Sequence, residues 1–308
     1  MRPVFADPKT DFVFKKLFGT EEHRDLLIAL LNALLDLRGE RAIRALTFLR
    51  EEERPKVEEL KYSIVDVKCT DHQGTVFVVE MQVLQVQGFE ERVVYNASKA
   101  YVNQLARGDD YPHLNDVVAI SICDFVLWPD TLGQPAVPLV SHWRVQESGG
   151  RLGLGQVRYV FVELPKLPED RPPSDELEEW AFVFRNAQAL SDTPSFLHGA
   201  GPRQALDAAR TAGFSAAEWE AYDRAKVAEQ DARGALDLAR ERGRAEGVVE
   251  GHAAGVAAGQ SAALRTAIEA LCEVLGVPLD DTRRAWLSAA SAEALTETLA
   301  RLRRSRAW

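Results

Sequence analysis

The sequence predicts an α/β domain with a mixed sheet flanked by helices, followed by an α-helical C-terminal region. Three observations lead there. Near the N-terminus, Leu26, Leu27, Leu30, Leu31, Leu34 and Leu35 recur at three- and four-residue spacing, the amphipathic helical pattern. Two β-branched runs, 61–69 and 75–84, flank the turn-rich segment Thr70-Asp71-His72-Gln73-Gly74. Beyond Ser191 the composition shifts to Ala, Arg, Glu and Gly. An order of helix, strand, hairpin, helix and strand is that of an α/β domain with mixed pairing.

Asp7-Pro8 reads as a helix cap followed by proline at the first helical position. Phe12, Phe14, Leu17 and Phe18 then supply a short helix ending near Gly19. A second helix is expected over 21–37. A short strand over 43–48 and a charged loop over 50–59 precede the two β-branched runs, which form a hairpin. From 88 to 107 the period is helical again, with Val93, Val94, Ala97, Ala100, Tyr101 and Leu105 as the buried side. Strands are expected over 117–127 and 157–164. Pro165–Pro173 is a connection, and 176–190 a helix whose Leu177, Trp180, Phe182, Val183 and Phe184 pack back on the domain.

The expected domains are 1–190, a helical linker over 191–260 and a small helical module over 261–308. In the linker, Gly243, Gly247, Gly251, Gly255 and Gly259 repeat every fourth residue. Such a stripe lets another helix approach closely, so copies can associate through it. Each glycine also costs a helix about 1 kcal/mol relative to Ala, which suits a plain spacer equally well. The last module breaks at Gly276-Val277-Pro278 and ends in the basic run Arg301-Leu-Arg303-Arg304-Ser-Arg306.

Composition narrows the function. No apolar run approaches the roughly 18 residues of a membrane span, and the first residues lack the apolar core of a signal peptide, so a cytoplasmic location without membrane is expected. Cys69, Cys123 and Cys272 are widely separated and offer neither a disulfide framework nor a zinc site. The net charge of -10 argues against a surface that is wholly a nucleic-acid footprint. It leaves room for an enzyme whose metal ion neutralises carboxylates locally. His23, His72, His113, His142, His198 and His252 show no ligand spacing.

The chemistry is concentrated in the hairpin. If it is regular and symmetric about Gln73, Asp66 faces Glu80, Lys68 faces Val78 and Ile64 faces Gln82. Directly opposed residues share a face with Cβ atoms about 4.5–5.5 Å apart. Asp66, Lys68, Glu80 and Gln82 then lie on one face. Two such carboxylates repel unless one is protonated or a cation lies between them. Oxygen-only ligation favours Mg²⁺ or Mn²⁺ over zinc. The alternative is a solvated strand face on which Lys68 makes cross-strand charge pairs. Ile64, Val65, Val67, Val76, Phe77, Val78 and Val79 are apolar on both parities, the mark of a strand covered on both sides. Carboxylates there need a partner.

Phe5-Ala6-Asp7-Pro8-Lys9-Thr10-Asp11-Phe12-Val13-Phe14-Lys15-Lys16-Leu17-Phe18-Gly19, Ser63-Ile64-Val65-Asp66-Val67-Lys68 and Val79-Glu80-Met81-Gln82 together resemble the Rpn family of recombination-promoting nucleases, of the PD-(D/E)XK transposase type. Arg92, Tyr95, Lys99, Tyr101, Gln104, Gly108 and Tyr111 resemble that family's next block. The resemblance covers about residues 5 to 130, and the looser likeness of the C-terminal helices to appendages of such nucleases suggests no chemistry there. It implies a restriction-endonuclease-like core that hydrolyses double-stranded DNA with Mg²⁺ or Mn²⁺. Asp66 takes the place of the motif's Asp, Glu80 that of its second acid, and Gln82 stands where the wider superfamily often has lysine. An amide orients water or a phosphate oxygen but supplies no positive charge, so Lys68 is the candidate to supply it.

Asp11 lies where the family carries an acid on its first helix, either approaching the metal or pairing with Lys15 at i, i+4. Lys15, Arg92, Tyr95 and Lys99 are the implied DNA contacts; Arg92 and Lys99 equally suit a solvated helix edge. Two further functions stay open: a nuclease-derived binding or scaffold protein assembled through its C-terminal helices, and a strand-joining transposase. The latter needs a DNA-reading module, and no helix-turn-helix or zinc site is legible.

Overall fold

The computed structural model describes residues 2–49, 52–53, 63–105 and 110–308. The chain divides into two compact units, Met1–Asp231 and Ala232–Trp308. In the first unit α1 (Asp11–Phe18) and α2 (Arg24–Leu34) precede β1 (Leu46–Phe48), β2 (Glu52–Glu53), β3 (Ser63–Ile64), β4 (Val67–Asp71) and β5 (Val76–Gln82). Next come α3 (Phe89–Val102), β6 (Val117–Cys123), β7 (Val140–Gln146), β8 (Gly153–Glu163), α4 (Glu176–Asn186) and α5 (Ala200–Ala208). The boundary between units falls inside α6 (Ala216–Leu275), which is followed by α7 (Asp281–Ala289) and α8 (Ala292–Ser305).

Six strands form one mixed sheet in the order β1-β4-β5-β6-β8-β7, while β2 and β3 pair separately. The pairs β5–β6 and β6–β8 are parallel; β1–β4, β4–β5 and β7–β8 are antiparallel. One face of the sheet, with Val67, Phe77, Val79, Val118, Ile120, Ile122, Val160 and Val162, packs on Phe14, Leu17 and Phe18 of α1 and Leu27, Leu30 and Leu31 of α2. The other face, with Val76, Val78, Val117, Ala119 and Phe161, packs on Phe89, Val93, Ala97 and Ala100 of α3. Covering both faces explains why β5 and β6 are apolar on both parities.

The mixed, helix-flanked sheet is as expected, and the hairpin keeps the expected centre, with Val67 opposite Val79 and Lys68 opposite Val78. Its turn is held by Asp71 Oδ1, which accepts from the Gln73 and Thr75 amides at 2.9 Å each. Other expectations are corrected. Asp7 starts a turn, accepting from the Lys9 amide at 3.0 Å, and the helix begins only at Asp11. The second helix opens with a 3-10 turn over Glu21–His23 and ends at Leu34. The first expected strand shortens to Leu46–Phe48, because the Ile43 backbone is claimed by the Asn32 side chain. The run 61–69 is interrupted at Val65-Asp66, with β3 before the break and β4 after it. Val94 is 49% exposed. β7 was not anticipated. Most of the loop over 50–59, the start of the run at Lys61, and the end of the helix at Arg107 with Gly108 lie outside the described residues.

The packed core continues past residue 190: Leu197, Ala205, Leu206 and Tyr222 are all buried. Asp7, buried beside Lys9 and Lys226, ties the N-terminal segment to the first turns of α6. The second unit has its own small core of Ile268, Cys272, Leu287, Leu295 and Leu302. The expected break falls at Gly276, whose φ is 68°.

At the carboxyl end of β8, Glu163 is fully buried. It accepts from the Leu127 and Trp128 amides at 2.7 and 3.1 Å and from Lys166 at 2.8 Å, closing the loop after β6 over the sheet. Removing it leaves two amides without their acceptor and the Lys166 ammonium with the Val137 carbonyl but no counter-charge from Glu163. Glu163→Leu is therefore expected to cost about 3 kcal/mol in urea denaturation; an unchanged midpoint contradicts this role.

Candidate functional site

The candidate site lies where β4 begins and β5 ends, at the carboxyl end of the parallel strands, the side of an open α/β sheet on which ligands bind. The β4–β5 ladder stops at Val67 opposite Val79. One residue further the backbone bends, and the Asp66 carboxylate takes over: its Oδ2 accepts from the Met81 amide at 2.7 Å. Asp66 is thereby fixed at the end of the β4–β5 ladder, near Glu80.

Glu80 is 8% exposed and lies on the face of the sheet covered by α3. Its Oε1 accepts from Asn96 Nδ2 at 2.6 Å, and Arg92 Nη2 stands 4.0 Å from its Oε2. The Arg92 guanidinium also donates to Gln82 Oε1, while Gln82 Nε2 donates to the Leu84 carbonyl at 2.7 Å. Arg92 and Asn96 are one helical turn apart, so a single face of α3 delivers both donors. Asn96 itself is 4% exposed, and its Oδ1 has no hydrogen-bond partner.

Burial pushes the Asp66 carboxyl up to about 7; the Met81 amide and Lys15 oppose the rise, and the negative charges of Asp11 and Glu80 add to it. Burial also raises Glu80, against Arg92 and Asn96. Both acids thus sit where a negative charge is undercompensated. Asp11, on α1, pairs with Lys15 at 3.0 Å and is largely exposed. Lys68 is half-buried on β4, two residues beyond Asp66. Tyr95 is half-buried, and Lys99 is 3% exposed with its ammonium 5.8 Å from the Tyr95 ring centre. The structure therefore brings Asp66, Glu80, Gln82 and Arg92 together, with Asp11 and Lys15 in electrostatic reach, and places Lys99 in the interior.

Among the described residues, no three His, Cys, Asp or Glu side chains gather closely enough to hold a metal ion. Two carboxylates nevertheless suit a hard divalent cation, since Mg²⁺ keeps several waters and is held through one or two carboxylates. The donor set is oxygen-only, both acids are raised by burial, and a cation between them relieves that. Asn96 was missed by sequence reasoning; its only signal is a polar residue on the same helical stripe as Val93, Ala97 and Ala100.

A mixed sheet flanked by helices, with one acid at a strand break and a second on the neighbouring central strand, is the layout of a restriction-endonuclease-like core. The chain belongs to the PD-(D/E)XK nuclease family transposases, whose family model matches residues 8–239. No curated protein and no solved structure matches the chain.

The raised Asp66 fixes a pH dependence. Between the ordinary carboxylate range and about 7 the folded state binds a proton that the unfolded state has released, so stability falls as pH rises through that window. Asn at this position keeps an acceptor for the Met81 amide without the charge. Asp66→Asn is expected to stabilise the metal-free protein by about 2 kcal/mol at pH 8 and by little near pH 4. Urea denaturation at the two pH values reads the difference, and an equal effect at both refutes it.

Proposed function

We propose that this protein is a divalent-metal-dependent endonuclease acting on double-stranded DNA, with Asp66 and Glu80 as the ligands of Mg²⁺ or Mn²⁺. The observation that carries the reading is the pair of upward-shifted carboxylates, half-buried Asp66 oriented by the Met81 amide and buried Glu80 by Asn96. Family membership supports a nuclease-like activity. A role in recombination or mobile-element transfer, and a cytoplasmic location, belong to the same proposal. Among the described residues no helix is long and apolar enough to cross a membrane.

A divalent ion at this place supplies Lewis-acid polarisation of a phosphate oxygen and a more acidic water. The protein supplies the rest. Asp66 and Glu80 are held in fixed rotamers by donors that belong to the fold, which keeps the reacting groups in place. The positive charge that Gln82 lacks is assigned to Arg92, which Gln82 anchors beside Glu80, rather than to Lys68 further along β4. Lys15 and Arg92 are the proposed phosphate contacts, with Tyr95 and Lys99 supporting the helix beneath. Asp11 holds Lys15 and adds negative potential at Asp66.

Nicking of supercoiled plasmid in Mg²⁺ or Mn²⁺ tests the proposal. Asp66→Ala and Glu80→Gln are each expected to lower the rate by about a hundredfold or more, and chelation to abolish it. No nicking by the wild type, or unchanged nicking by Asp66→Ala, overturns it. Asn96→Ala is expected to lower both the rate and Mn²⁺ affinity by about 10- to 100-fold, the range for groups that orient a metal ligand. Unchanged Mn²⁺ affinity by calorimetry removes Asn96 from that role.

The second reading, a nuclease-derived scaffold assembled by its C-terminal helices, draws on α6. A side chain added at Gly243, Gly247, Gly251, Gly255 or Gly259 meets open space, and Val248 and Val249 are 65% and 69% exposed. Absence of Mn²⁺ binding together with oligomers in sedimentation favours it over the nuclease.

A further inference from the structure

The sheet carries a second polar site, at the end opposite Asp66 and Glu80. A cavity of about 590 Å³ opens there, lined by Leu35, Val118 and Val160 together with His142, Arg144, Gln146 and Arg158. The ladders place these side chains. Val118, Arg158 and Arg144 form one row across β6, β8 and β7, and Ile120, Val160 and His142 form the next row on the same face. Two arginines therefore stand directly opposite each other on antiparallel strands, an arrangement that is destabilising by itself. The register shifts immediately after Arg144, between Arg144 and Val145. Irregularities of this kind re-aim side chains beside functional sites.

No acidic side chain is among the described residues lining this cavity. In other concavities among the described residues acids belong to the lining itself. Arg171 and Arg185, which line one of them, are paired with Glu178 and Glu169. Arg2 shares another with Glu220 and Asp223. Glu293 and Glu297 line a third. At the opposed pair, Asp116 stands 3.6 Å from Arg158 and is itself half exposed. His142 adds an imidazole, held below its ordinary value by partial desolvation and by Arg158. In a chain of net charge -10, a cavity whose lining holds two register-paired arginines and no acid, with Asp116 beside Arg158, is a local reversal of sign.

We infer that this cavity is a binding site for a phosphate group, gripped between Arg144 and Arg158 over the apolar floor of Val118, Val160 and Leu35. Guanidinium forks match the oxygens of phosphate in a two-point contact. A bridging phosphate converts the repulsion between the facing arginines into attraction to a shared partner. Gln146 offers an amide at the rim, and neutral His142 offers one donor and one acceptor. The chemistry fits equally a phosphate of a nucleic-acid backbone and a free phosphorylated compound. The site stands apart from the carboxylates and does not rest on the cleavage proposal.

Inorganic phosphate is the first probe, titrated into the full chain at constant ionic strength in chloride, with the His142 ring resonances and calorimetry as readouts. Saturable binding that shifts His142 is expected. The paired variant Arg144→Gln/Arg158→Gln should weaken binding at least about tenfold, since it removes both charge-assisted contacts. It should melt no lower than the wild type without phosphate, because the like-charge pair is gone, and this guards against misfolding as the cause. Either single variant serves as a second measurement. No saturable binding by the wild type, or equal binding by the paired variant, overturns the inference.

A second arm distinguishes the sources of the phosphate. If the ligand is a nucleic-acid backbone, the paired variant lowers the slope of log affinity for a DNA duplex against log salt by about one to two. If it is a free phosphorylated compound, duplex affinity and its salt slope stay unchanged while phosphate binding is lost. Both outcomes support a phosphate site.

Discussion

Two carboxylates in apolar surroundings impose the main constraint on this fold. Glu80 is buried and Asp66 half-buried, burial raises both, and the charge of Glu80 further disfavours that of Asp66. Such groups persist in a folded protein when their oxygens are claimed by donors or by a cation. The local structure reads as the means of claiming them. Breaking the strand at Asp66 swaps a ladder contact for a side-chain one, so the Met81 amide orients a carboxylate at the end of the ladder. Glu80, on an unbroken strand, projects onto the α3 face and meets Asn96 and Arg92 instead. One acid is thus placed by a backbone irregularity and the other by a packed helix. Neither could move without disturbing the core that Val78, Phe89 and Val93 share.

This division of labour explains what the sequence could and could not convey. The hairpin register was legible because apolar residues of both parities leave few ways to pair 67–70 with 76–79, and Gln73 is the centre in the structure. The same regularity misleads at Asp66, which lies one residue beyond the ladder. A chemically useful bend carries no composition signal, since Val65-Asp66-Val67 reads as ordinary alternation. Lys99 shows a different failure. A lysine on an amphipathic helix reads as solvent-facing, yet its long stem is buried together with its head, beside Tyr95. β7 was invisible for the opposite reason. It is an edge strand whose residues 142–146 are all exposed, so no apolar period marks it.

The helices beyond the sheet follow a third pattern. Composition changes after Ser191, but burial does not change there, because Leu197, Leu206 and Tyr222 still pack with the first unit. Small residues such as Ala205 and Gly201 sit against larger partners; a side chain on Gly201 would meet Trp180 at 2.7 Å. Alanine- and glycine-rich stretches can therefore be core or spacer. Only the identity of the opposing side chain decides, which a single segment of sequence does not contain. At Gly243, Gly247, Gly251, Gly255 and Gly259 an added side chain would meet nothing within 4 Å among the described residues.

Net charge is an equally poor guide to partners, because charge in this chain is sorted by position. Along β6 the seven residues from Val117 to Cys123 span about 20 Å, and the sign of the unbalanced groups changes over that distance. At the carboxyl end, acids outnumber the cations that face them, and burial raises Asp66 and Glu80. At the other end Arg144 and Arg158 are paired in register, and the half-exposed Asp116 pairs with Arg158. An anionic polymer is repelled by the sum of the charges but encounters them one patch at a time, within a Debye length of about 8–10 Å. A cation at the carboxylates removes the main repulsive patch. The same chain can therefore be acidic overall and still present, at both ends of one sheet, surfaces compatible with phosphate.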